Sequence, residues 1–263
     1  MSARTVTSLG NDTVKAVRAL HQRKAREDTG LFLAEGLKIV TEAVELGRAP
    51  RILLYGPDAR DHPLLRKAAL AAEAGGGEVI EVTTGILEKI SRRDNPQTVI
   101  GVFAQTFEPL AGLDPTSAAC WVALQQVRDP GNLGAIVRTA DAAGCGGVIL
   151  VGDCCDPYSV EAVRATMGSI FAVKVAKATV DEFLAWRKTW PGAVVGTLLS
   201  AAVDYLAADY RKPVMILMGA EQAGLPPDLA AACDVAVKIP MRGRADSLNL
   251  SVATGIMIYV VTG

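Results

Sequence analysis

Histidine is nearly missing from this 263-residue chain, which holds only His21 and His62. A histidine-built metal centre or a Ser-His-Asp relay therefore has almost nothing to draw on. The five cysteines are Cys120, Cys145, Cys154, Cys155 and Cys233. Their count is odd and no C-x-x-C occurs, so neither a disulfide framework nor a zinc site is signalled. The adjacent Cys154 and Cys155 admit a redox role, against the commoner case of two thiols in a reducing cell. No apolar run approaches the ~18 residues that span a bilayer. The opening MSARTVTSLGNDTVK has no apolar signal core, so the expected compartment is the cytoplasm. An excess of one charge is missing too. There are 27 Lys and Arg against 28 Asp and Glu, a net charge of −1. Affinity for a polyanion must then come from local patches. The G-x-G-x-x-G and G-x-x-x-x-G-K-[ST] phosphate loops are absent as well.

What is present is a large apolar fraction, 50% of residues, on a chain long enough for two domains. Residues 30–36, 51–55, 78–82 and 98–105 read as strands, with helices between them from 37, 62 and 84. That alternation predicts a small βαβαβαβ unit over 1–106. Residues 107–119 are rich in proline, glycine and small side chains, and read as a linker. From 120 to 263, continuous apolar strands alternate with helices, the pattern of a parallel sheet covered on both faces. The fold class is therefore α/β, with a smaller N-terminal α/β domain.

Three segments of the second half carry chemistry. DPGNLGAIVRTADAAG (129–144) follows a strand and opens a helix. Its glycines allow close approach, and the bare N–H groups of a helix start favour an anion. Asn132 suits the N-cap and Arg138 falls inside the helix; a simple cap plus a solvated arginine accounts for both equally well. GAEQAGLPP (219–227) follows VMILM, so Glu221 projects from a loop at a strand's carboxyl end, where open α/β sheets bind ligands. IPMRGRADSLNLSVATG (239–255) ends a strand, passes through a loop and starts the last helix. Ser247, Asn249 and Ser251 crowd that start with more polar groups than one cap needs.

Taken in order, these segments resemble the SpoU/TrmH family of RNA ribose 2′-O-methyltransferases, within the knotted SPOUT superfamily. The first family motif corresponds to Asn132 and Arg138, the second to Gly219, Glu221 and Gly224, and the third to Ile239, Pro240, Ser247, Leu248, Asn249 and Ser251. The likeness covers about 120–263. A looser one relates the N-terminal half to the family's RNA-substrate-binding domain.

The resemblance implies a deep trefoil knot in the C-terminal domain, with S-adenosylmethionine bound there chiefly by Gly219, Ile239 and Leu248, with Met241 nearby. It implies a catalytic set of Arg138, Asn132, Glu221, Ser247 and Asn249, no metal, and a homodimer whose sites draw on both subunits. SVATGIMIYVV, apolar almost all round, also asks for burial on more than one face and points to a dimer through the C-terminal domain. The expected partner is RNA, ribosomal before transfer RNA, met by Lys15, Arg18, Arg23, Lys24 and Arg26, and by Arg242 and Arg244 beside the cofactor segment. Two rival readings remain: a catalytically silent RNA binder of the same fold, and a nucleotide-binding metabolic enzyme, which the missing phosphate loop disfavours.

Overall fold

The computed structural model describes residues 4–263; the start of the expected first domain, at residues 1–3, lies outside them. The chain divides into two units. One runs to Gln105 and takes in Tyr158–Phe171; the other is Thr106–Pro157 with Ala172–Gly263. No helix among the described residues is long and apolar enough to cross a membrane.

The chain begins with β1 (Arg4–Val6), α1 (Asp12–Ala19), α2 (Arg23–Thr29), β2 (Leu31–Glu35) and α3 (Leu37–Glu45). It continues through β3 (Ile52–Tyr55), α4 (Pro63–Ala74), β4 (Glu78–Val82), α5 (Thr84–Ser91) and β5 (Val99–Ala104). Then come β6 (Cys120–Gln125), α6 (Pro130–Ala142), β7 (Val148–Val151), α7 (Val160–Thr166), β8 (Val175–Ala178) and α8 (Val180–Arg187). Last are β9 (Val194–Thr197), β10 (Val203–Asp204), β11 (Val214–Met218), α9 (Pro227–Ala231), β12 (Val235–Lys238) and α10 (Leu250–Thr262).

The first unit is built on a five-stranded sheet ordered β1-β4-β3-β5-β2. β1, β4 and β3 are parallel, while β5 runs antiparallel to both β3 and β2. The sequence pattern captured the alternation but not the mixed directions. A continuous apolar run such as TVIGVFAQ carries no sign of which way it will pair, and the three-residue β1 is too short to show a period. Val14, Val17 and Leu20 project from the α1 region into a core with Leu33, Leu54, Ile86 and Ile100. Tyr158–Phe171 joins this unit through its rings. Phe32 lies 4.6 Å from Tyr158 and 5.7 Å from Phe171, centroid to centroid, and Phe103 meets Phe171 edge-on at 4.7 Å. Arg164 on α7 donates to the buried Glu35 carboxylate at 2.8 Å and to the Ser91 carbonyl at 2.9 Å. A buried carboxylate needs such a partner, because removing it from water is otherwise costly.

The second unit holds seven strands, all parallel, ordered β10-β12-β9-β11-β6-β7-β8. Every residue of the central β6 and β11 is buried, so both faces of the sheet are covered. Trp121, Ile149, Phe183, Met215, Leu217 and Leu229 form part of its core. α10 packs against α6 and against β11 and β6.

One crossing shapes this unit. β9 and β10 are successive strands, yet β12 lies between them. Thr197 and Val203 are both level with Val237 of β12. The connection at 198–202 therefore steps across β12 while the chain leaving β12 goes on to α10. The apolar run AVVGTLLS (193–200) reads as one strand, but β9 stops at Thr197 for that reason, and the two-residue β10 beyond the crossing is invisible to a periodicity argument. FAVKVAKAT (171–179) likewise reads as one strand, but β8 starts only at Val175, after the 3-10 turn of Ser169–Phe171.

Candidate active site

The centre of the site is the turn that follows β11. Ala220 N–H donates to the Gly224 carbonyl at 3.1 Å, and Gly224 N–H donates back at 2.9 Å. This closed turn brings backbone against backbone. A Cβ on Gly219 would lie 2.1 Å from the Gly224 carbonyl carbon, and Gly224 sits at φ +66°. A side chain on Gly219 would clash, and the left-handed backbone at Gly224 favours glycine there. The turn is also tied sideways: Gln125, buried at the end of β6, accepts from Ala220 N–H at 3.3 Å through its side-chain oxygen.

Around the turn is a cavity of about 370 Å³, within the roughly 300–1,000 Å³ range of small-molecule pockets. Its walls are the end of β9 from Thr197 to Ser200, the turn 219–225, and Ile239, Met241, Ser247, Leu248, Leu250 and Ala253 from the segment leading into α10. The cavity thus lies outside the carboxyl ends of parallel strands, where adjacent connections diverge. All four expected cofactor residues, Gly219, Ile239, Met241 and Leu248, are on its wall, as are Glu221 and Ser247.

Asn132 and Asn249 join the site through a hydrogen-bonded relay. The Asn132 amide donates to Glu221, and its oxygen accepts from the Asn249 amide at 2.9 Å. Asn249 in turn caps α10, accepting from Ser251 N–H at 2.9 Å and Val252 N–H at 3.3 Å. Ser247 donates to Asp246 at 3.3 Å and caps nothing. At α6 the cap is Asp129, not Asn132 as expected: its carboxylate accepts from Asn132 N–H at 2.6 Å. With Pro130 at the first helical position, Asn132 lies one turn inside the helix and its side chain is released for Glu221.

Arg138 stands apart. It is exposed on α6 and off the cavity wall, and it makes no hydrogen bond or ion pair among the described residues. Beside it, Ala135 and Thr139 line a groove of about 510 Å³ with Ser251, Val252, Gly255, Ile256 and Tyr259 of α10. Val252 and Tyr259 are 51% and 57% exposed there.

The expected RNA-facing cations divide. Lys15, Arg18, Arg23 and Lys24 are exposed, Lys15 beside Asp12 at 3.1 Å and Arg23 beside Glu27 at 2.7 Å. Arg26 is 4% exposed and donates to the Leu20 carbonyl at 2.8 Å, so its guanidinium supports the fold instead of facing a phosphate. Arg242 and Arg244 are exposed on the loop before α10. The paired thiols lean away from reactivity: burial pushes Cys154 up, and burial with the neighbouring Cys154 lifts Cys155 to about 12.

Sequence reasoning missed Thr197 and Gln125. Each is a lone polar residue ending an apolar strand, and position at a carboxyl end is its only signal.

Comparison with known proteins gives the following. A family model described as the SpoU rRNA methylase family matches residues 119–259, and an MRM3-like substrate-binding domain model matches 11–101. The structure of an AdoMet-bound rRNA methyltransferase from Sinorhizobium meliloti is similar at a TM-score of 0.92, with 49% identity, covering 98% of this chain and 97% of that one. A Bacillus subtilis enzyme named 23S rRNA (guanosine(2553)-2′-O)-methyltransferase RlmP is 28% identical, over 98% of this chain and 99% of its own length. An Escherichia coli tRNA (guanosine(18)-2′-O)-methyltransferase is 35% identical, over 60% of this chain and 67% of its own.

Proposed function

Because the chain belongs to the SpoU rRNA methylase family, we propose that it transfers a methyl group from S-adenosylmethionine to a ribose 2′-hydroxyl of ribosomal RNA. The observation that carries this reading is the cavity at the ends of β9 and β11, walled by the turn of Gly219 and Glu221 and joined to Asn132 and Asn249. The residues present fit the cofactor. Ile239, Leu198 and Leu250 offer an apolar wall to a flat base, and Glu221 is a carboxylate suited to a cation. When bound, S-adenosylmethionine supplies a methyl group already activated on positively charged sulfur.

The chain's own residues then have three tasks. Gly219, Ile239, Met241 and Leu248 hold the cofactor, largely through backbone and apolar contact. The relay from Glu221 through Asn132 to Asn249 fixes the acidic side chain and the start of α10 in one geometry, which positions the ribose beside Ser247. Arg138 stabilises the charge that develops on the 2′-oxygen; a guanidinium is too weakly acidic to serve as the base. The proton leaves to solvent, which reaches the exposed Glu221 and Asn249.

Arg138 lies off the wall of its own subunit's cavity, so we assign it to the cavity of a second copy in a homodimer. The exposed apolar face of α10 and its groove with α6 support that assembly. The crossing of 198–202 over β12 supports a trefoil knot in the second unit. We take 1–106 as the substrate-binding part, meeting RNA through Lys15, Arg18, Arg23 and Lys24, and 120–263 as the methyltransferase part aided by Arg242 and Arg244. Ribosomal RNA is the better substrate because the relative named for it is similar across nearly the whole chain, whereas the tRNA enzyme is similar over 60%.

The test is methyl transfer from labelled S-adenosylmethionine to purified rRNA and tRNA, with the product mapped by resistance to alkaline cleavage. Label at one ribose in rRNA is expected. Label in tRNA alone would overturn the substrate, and none in either RNA would overturn the activity.

A further inference from the structure

One polar group in the cavity wall has no partner. The Thr197 hydroxyl oxygen is buried and makes no hydrogen bond; among the described residues no other buried side-chain nitrogen or oxygen is left so. An orphaned buried hydroxyl is costly relative to a satisfied one, and native folds rarely retain one without a reason. Thr197 is the last residue of β9, level with Met218 on one side and Val237 on the other, so it lines the cavity at the carboxyl ends of the strands, level with the residue that precedes the Gly219–Gly224 turn.

Rotation about χ1 is the movement that would present this hydroxyl to the cavity. A threonine on a strand has more than one staggered χ1 well, and one step exchanges the hydroxyl with the methyl group at nearly constant volume. The charge of the wall then decides which end of a ligand meets it. Among the described residues Glu221 is the one charged side chain lining the cavity, and it stands on the turn past the carboxyl end of β11. Thr197 is flanked by the apolar Met218 and Leu198, and Leu225 and Ile239 add apolar surface to the same wall. A cationic sulfonium and amino-acid tail suit the Glu221 side, while an uncharged adenosyl group suits that apolar wall, and a hydroxyl can either donate to it or accept from it.

Resting on the reading of this cavity as the S-adenosylmethionine site, we propose that the Thr197 hydroxyl is a cofactor-binding group that hydrogen-bonds the adenosyl half of the ligand. It is unsatisfied in the free protein and satisfied on binding.

The experiment is calorimetric titration of the full chain and its Thr197→Val, Thr197→Ala and Thr197→Ser variants with S-adenosylmethionine, S-adenosylhomocysteine and methylthioadenosine, alongside thermal melts of the ligand-free proteins. Thr197→Val and Thr197→Ala should lose about tenfold in affinity for all three ligands, about 1.4 kcal/mol, and Thr197→Ser less than about twofold. The free Thr197→Val protein should melt no lower than the parent, since the change removes an orphan. Parent-like binding of methylthioadenosine by folded Thr197→Val or Thr197→Ala overturns the proposal, as does an equal loss in Thr197→Ser. If the parent chain binds the ligands and only this contrast fails, the cofactor reading stands alone; if the parent binds none of them, both fall.

Discussion

Asn132 works as a bridge, giving its amide to Glu221 and its oxygen to Asn249, whereas Arg138, nearly two turns further along α6, makes no hydrogen bond or ion pair among the described residues. That contrast in hydrogen bonds and ion pairs, drawn among the described residues, separates their variants. Arg138→Ala should change stability by less than about 0.5 kcal/mol, as exposed substitutions do. It should leave the S-adenosylmethionine dissociation constant unchanged while kcat on RNA falls about 100-fold or more, the usual loss of one group that stabilises developing charge. Turnover and calorimetry on the same preparation check this, and equal loss in both would mean that Arg138 supports the fold. At this scale the grouping of the candidate site residues was legible beforehand. Gly219, Glu221, Ile239, Met241, Ser247 and Leu248 all lie on one cavity wall. Thr197 and Gln125 were not legible, because their roles arise from strand neighbours that sequence spacing does not reveal. Arg26 was misread because one more cation in a basic stretch looks exposed until Leu20 is seen to accept from it.

Between elements, Asp234 shows how a single carboxylate holds a strand end. It accepts from Val194 N–H at the start of β9 at 2.7 Å and from Arg187 at the end of α8 at 2.6 Å. Partial burial works against its charged form, but the Val194 hydrogen bond and the Arg187 guanidinium outweigh it, and its pKa is lowered. A carboxylate with a depressed folded-state pKa contributes stability above its unfolded value, and that contribution is lost as pH falls through the folded value. Asp234→Asn should therefore unfold at lower urea than the parent at pH 6. The gap should narrow from about pH 3.8 downward. Urea midpoints at pH 6, 4 and 3 measure it; a gap independent of pH would assign the effect to geometry instead of charge. The element pattern itself was readable where apolar period and caps agreed, as in α10 after Asn249. It was not readable where a strand is two or three residues long, as in β1 and β10, since no period fits so short a run.

For the whole molecule, the exposed apolar face of α10 sets the expected assembly. A Cβ on Gly255 would meet only Thr139, at an ordinary 3.6 Å; packing within the chain does not require a glycine there, which leaves the groove open for a second copy. Light scattering at micromolar concentration should give a dimer, and Val252→Glu with Tyr259→Glu should give a folded monomer that has lost at least about tenfold in turnover. A monomeric parent, or a dimeric double variant, would refute the assembly. The excursion of Tyr158–Phe171 into the first unit escaped the sequence reading, because it depends on rings at Phe32 and Phe103 far away in the chain. The crossing over β12 has a consequence of another kind, for birth on the ribosome. A chain emerges from its N-terminus and folds as it lengthens. Thr197 and Gly219 emerge before the wall from Ile239 to Ala253, and β12 must first find its slot between two strands already made. No nascent or prematurely ended chain short of Ala253 can enclose the ligand, so synthesis delivers the site in a single late step, with no half-formed competitor for cofactor along the way.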